Sequence, residues 1–140
     1  MLILGAVIFD GVRRARDSAA LVAHTRDVID RAQAMFSSLQ DAETGERGYV
    51  ITADSAYLEP YHRGVEMLST DAAVLRALIR DNLAQRARLD SLDPILRARL
   101  ATLAAGVASR RAIGFDSAAS AVRSGHGKVL LDSIRTIVGD

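Results

Sequence analysis

Cysteine and tryptophan are absent from this chain of 140 residues, proline occurs twice, and Lys128 is the only lysine. Without cysteine there is no disulfide and no thiolate metal site, which is compatible with any compartment. Three tyrosines and three phenylalanines make up the whole aromatic complement. That is little for a sheet, whose strands draw on aromatic and β-branched residues. With so few prolines, long stretches of backbone are free to form unbroken helix. Neither sign of charge dominates: 18 basic residues balance 17 acidic ones, for a net +1. A nucleic-acid binder carries a basic stripe and a high isoelectric point. No nucleic-acid partner is expected here.

What is present is apolar and small. Hydrophobic residues make up 49% of the chain, with alanine and leucine dominant, and both are strong helix formers. The length fits a single domain that can bury a real core. We therefore expect an all-α protein. The longest apolar run, Leu2 to Phe9, precedes Asp10 and then Arg13, Arg14 and Arg16. As a helix it spans only ~12 Å, against the ~30 Å of a bilayer core. It also lacks the basic start and small-residue cleavage site of a signal peptide. Two readings stay open: a helix end that packs on the core, or the outer end of a membrane span occupying residues 1–9.

Helical periodicity carries the rest. From Val22 the seam steps by threes and fours through Thr25, Ile29, Ala32, Phe36, Leu39, Glu43, Glu46 and Val50, a heptad pattern that marks lengthwise helix packing. It breaks at Thr52 to Ser55, where Asp54 or Ser55 can cap a new helix. The second seam runs through Leu58, Tyr61, Val65, Leu68, Ala72, Leu75 and Ile79 and ends at the turn-forming pair Asp81-Asn82. The third runs Gln85, Leu89, Leu92, Leu96, Leu100, Leu103, Val107, Arg110 and Gly114. Its four-four spacing around Leu96 indicates a stutter in the supercoil. Pro94 either starts a fresh helix or kinks a continuous one. The strongest breaker is Ser124-Gly125-His126-Gly127, after which Val129, Leu130, Ile134, Ile137 and Val138 form a last amphipathic segment. The expected helices cover about 10–52, 55–81, 84–124 and 127–140. Helices one and three would each reach ~60 Å and the fourth only ~18 Å at the usual rise per residue. The expected fold is thus an elongated up-and-down four-helix bundle whose fourth helix is truncated, within a domain over 10–140.

The segment Asp41 to Tyr49 places charge where a core is due. Glu43 and Glu46 hold seam positions occupied upstream by Phe36 and Leu39. A buried, unpaired carboxylate costs several kcal/mol, so each needs a partner. Arg47 is one turn from Glu43, and Arg110, with Arg111 beside it, falls on the third seam at a similar height. A polar layer of Glu43, Glu46, Arg47 and Arg110, with Tyr61 nearby, is expected to cross the bundle near one tip. It either sets helix register or senses a signal. Gly45 and Gly48 weaken their helix by ~1 kcal/mol each relative to alanine, and permit either close approach or a bend.

Catalysis finds no support. Glu59 and His62 have the i, i+3 spacing of carboxylate-bridged metal bundles, but such a site needs a second motif and further glutamates. No metal or cofactor is expected. No Ser-His-Asp arrangement is present, and Gly125-His126-Gly127-Lys128 lacks the strand context of a phosphate loop.

Ala23-His24-Thr25 with Val28, then Asp41 through Tyr49 with Thr52, then Tyr57 to Tyr61, resemble the type-3 CHASE domain. The likeness continues through Asp81-Asn82, Gln85, Arg88-Leu89, Arg99-Leu100, Arg110-Arg111 and Gly114. It ends with Gly125, Gly127-Lys128, Leu130, Asp132 and Ile134-Arg135. Ala53 stands where that family usually has glycine, and Leu131 where it usually has methionine. The resemblance implies an extracytoplasmic sensory module held between two transmembrane helices, feeding a cytoplasmic histidine kinase, diguanylate cyclase or chemoreceptor output. It favours the membrane-span reading of Leu2–Phe9 and a third helix continuous to about Ser124. It also implies a parallel homodimer through helices one and four, responding to an unknown ligand or protein signal. A helical scaffold that binds partner helices and senses nothing is the alternative.

Overall fold

The computed structural model describes residues 2–117, with side chains from residue 16 onward. These residues are almost entirely helical, with no strand among them. Helix α1 (Leu2–Thr52) has 51 residues, roughly 76 Å of unbroken rod. It runs through the Leu2–Phe9 segment without interruption. Helix α2 (Leu58–Leu78) follows a single 3-10 turn at Ser55–Tyr57, and helix α3 is Leu83–Ala112. Gly45 of α1 lies against Tyr61 of α2, and Ala42 against Gly64, so these two run antiparallel. Glu43 meets Arg99 and Glu46 meets Gly106, so α3 runs with α1. The topology is up, down, up.

Local chemistry sets the turns. Thr52 Oγ1 donates back to the Gly48 carbonyl at 2.7 Å and accepts from the Asp54 amide at 3.0 Å. Asp54 caps the next turn, accepting from the Ala56 amide at 2.9 Å. Between them Ala53 sits at φ 60°, a left-handed conformation that costs an alanine roughly 1–2 kcal/mol. Asn82 caps α3 through the Gln85 amide at 3.1 Å. The α2–α3 hairpin is fastened by Arg76, which pairs with Asp93 and lies 3.9 Å from Asp90.

Two expectations about the third helix are corrected. It is not continuous to Ser124: α3 stops at Ala112, Gly114 takes φ 112°, and both it and Ile113 donate to the Ser109 carbonyl, a left-handed C-cap that only glycine adopts without strain; the expected stretch 118–124 lies outside the described residues. The stutter is also absent. The buried residues Leu89, Leu92, Leu96, Arg99, Leu103 and Gly106 alternate threes and fours throughout. The apparent four-four step came from taking Leu100 in place of its charged neighbour. Pro94 lies inside the continuous helix and starts nothing.

Helix α1 serves two partners from two faces. Ser38, Ala42 and Gly45 meet α2, while Glu43 and Glu46 meet α3. Met35, Leu39 and Leu103 are the largest side chains fully withdrawn from water, and Leu68, Leu75, Leu92 and Leu96 extend the same core. The α1–α2 contact is the closer one. A Cβ at Gly45 would lie 2.5 Å from the Tyr61 nitrogen, and one at Gly64 would lie 2.5 Å from the Ser38 carbonyl oxygen. The two backbones touch. The expected seam of α1 is covered only from its middle onward, for Leu21, Val22 and Ile29 are exposed. Among the described residues no helix is long and apolar enough to cross a membrane. The expected fourth helix over 127–140, with Gly125 and Gly127, lies outside the described residues.

Candidate functional site

The charged positions of α1 do lie between helices. Glu43 and Glu46 are 7% and 6% exposed, on a helix face whose other residues are apolar. Arg99 of α3, itself buried, donates from Nε to Glu43 Oε1 at 2.6 Å. A charge-assisted bond at this length, with both partners out of water, is among the stronger polar contacts a protein makes. One turn along α1, the Glu46 carboxylate occupies the space that a side chain at Gly106 would fill. Among the described residues no hydrogen bond or ion pair reaches Glu46. The layer therefore holds two carboxylates and one buried guanidinium.

That imbalance has an electrostatic consequence. Burial raises the Glu46 pKa from its ordinary value, because the charged form loses water; Arg99 and Arg47 oppose the shift, and Glu43 adds to it. Burial also raises the Tyr61 hydroxyl, with the nearby Glu46 charge contributing. Tyr61 reaches the layer from α2, so all three helices border it.

The structure assembles part of the expected set and disperses the rest. Glu43, Glu46 and Tyr61 are together. Arg47 is exposed on the outer face of α1, since the residue after Glu46 turns away from the seam. Arg110 is half-buried a turn beyond Gly106, with its guanidinium 5.7 Å from the centre of the Phe115 ring. Its Nε has no hydrogen-bond partner among the described residues. Arg111 is exposed. Gly45 permits close approach of Tyr61, and the Tyr57 ring packs over Gly48. His62 is exposed, edge-on to Tyr61 at 5.0 Å, and Glu59 pairs with Arg63.

Sequence reasoning matched Arg99 to the family without placing it in the layer, and missed a second polar layer. Asp71 of α2 is 6% exposed and accepts from Arg31 at 2.8 Å and from Ser38 at 3.3 Å, both on α1. Its signal was available: Tyr61, Gly64, Leu68, Asp71 and Leu75 are spaced three-four-three-four. Leu58, Val65 and Ala72 made an equally regular but partly exposed alternative.

A family model for the CHASE3 domain matches residues 18–140. The chain belongs to the CHASE3 family. A solved structure, the sensor domain of the Rhodopseudomonas palustris histidine kinase HK9, has a TM-score of 0.75 and 26% identity, covering 81% of this chain and 89% of that one. No curated protein matches the chain. In this CHASE3 domain the Asp41–Tyr49 block supplies Gly45, which lets α2 approach, and both carboxylates of the layer facing α3. The Asp81-Asn82 pair supplies the cap of α3. The domain is a helical sensory module.

Proposed function

We propose that this CHASE3 domain is the extracytoplasmic sensor of a membrane-bound receptor, and that signals reach the output as shifts of one helix against another. The whole receptor would end in a kinase, cyclase or chemoreceptor module. The likeness to a histidine kinase sensor domain supports the kinase among these. The buried layer of Glu43, Glu46 and Arg99 carries the reading. Such a charged set adds little net stability over an apolar core, but it gives α1 and α3 a preferred register, and packed interfaces with a preferred register switch between discrete arrangements. The partner best suited to Leu21, Val22 and Ile29, which α1 leaves exposed, is a second copy in parallel.

The test is a chimera in which this domain replaces the sensor domain of HK9, assayed for kinase autophosphorylation in membranes. Glu43→Gln and Arg99→Lys, each checked for folding and for dimer formation by crosslinking at position 22, should shift basal autophosphorylation several-fold. Folded, dimeric variants with unchanged output would overturn the assignment of this layer. A monomeric chimera would overturn the assembly.

A further inference from the structure

Glu46 is the uncompensated member of its layer. Arg99 directs its Nε to Glu43, and the carboxylate of Glu46 is left against the bare backbone of Gly106. The charged and titratable groups around it are Glu43 and Arg47 on its own helix, Arg99 on α3 and Tyr61 on α2. With Glu43 and Arg99 neutralising each other, an ionised Glu46 leaves the buried layer with one excess negative charge. A protonated Glu46 leaves it neutral and adds an O–H donor. Burial favours that neutral form.

We propose that Glu46 is a proton-operated latch between α1 and α3, closed over Gly106 when the carboxyl carries a proton and loosened when it is ionised. The proton exchanges with solvent, and no other group need change its state. Gly106 gives the latch its fit, since any side chain there would occupy the carboxyl's place. A fall in the pH of the surrounding medium would then tighten the α1–α3 contact, and a rise past the Glu46 midpoint would release it. The link from latch to output rests on the sensory reading given above; the titration and the helix movement do not.

The chain lacks cysteine, so spin labels can be placed at Thr44→Cys and Ala105→Cys, both exposed positions on the two helices. A carbon-13 titration of the side-chain carboxyls, with Glu46 assigned by its loss in Glu46→Gln, should give a midpoint above 4.5. Across that titration the distance between labels should lengthen or broaden as pH rises, and in Glu46→Gln it should stay at its low-pH value. A carboxyl held above its unfolded value contributes stability below the unfolded range and loses it as pH rises past the folded value. Glu46→Gln should therefore melt close to the wild type below the unfolded range and above it once pH has passed the folded value. A wild-type midpoint at or below 4.5, or a label distance that does not move through the titration, would overturn the latch. Both readouts use the isolated chain, so they stand apart from the chimera's kinase assay.

Discussion

Glu43 and Arg99 meet where both side chains are nearly withdrawn from water, at 9% and 10% exposure, whereas Arg31 grips Asp71 from the edge of the bundle with 41% of its side chain exposed. Both pairs join α1 to a neighbour with a charge-assisted hydrogen bond. The difference is solvent. At the first site neither partner recovers much hydration when the other is removed; at the second the guanidinium keeps about two-fifths of its side chain exposed, and Ser38 remains beside the aspartate. The inner pair acts as a register key, and the outer one as an adjustable strap.

The sharpest way to break this comparison is Arg99→Ala, which strands two carboxylates in one layer. It should cost about 3–5 kcal/mol of stability, the penalty of an uncompensated buried charge, measured by urea unfolding at neutral pH. A loss no larger than that at the outer layer would erase the distinction. Gly64→Ala probes the backbone contact between the layers, where the added methyl would meet the Ser38 carbonyl and the Ala42 amide. A cost of about 1–3 kcal/mol is expected for overpacking against rigid neighbours, visible as a lower Tm. Asp71→Asn should cost least, about 1 kcal/mol, because its partner Arg31 is partly exposed and solvent screens the pair from that side. That loss should shrink as salt is added, while the effect of Arg99→Ala holds.

Much of this arrangement is legible in the amino-acid order, and the limits have physical causes. The heptad spacing of Leu39, Glu43, Glu46 and Val50 marked the face that meets α3, and buried charge on that face required a cation. Arg47 acts on Glu46 through its charge from an exposed position, and Arg110 lies a turn beyond Gly106, because adjacency in sequence and position at a helix end say little about facing across a bundle. Arg99 was passed over because Leu100 offered an apolar residue one step away, and Asp71 because Ala72 did the same. Gly64 and Gly106 matter through what they lack, and a missing side chain leaves no mark in a hydrophobic pattern. The end of α3 at Gly114 turned on a single left-handed residue that helical periodicity does not register.

The touching backbones of α1 and α2 give the three rods unequal freedom. Where main chain abuts main chain, neither helix can slide without riding over a peptide group, so a thrust applied to α1 is carried by α2 as well. Helix α3 shares less surface with either and hangs on α1 largely through side chains, which swing where peptide planes do not. Mechanically the described residues form a stiff two-rod strut with one hinged companion, and a signal that has to move something would meet the least resistance there.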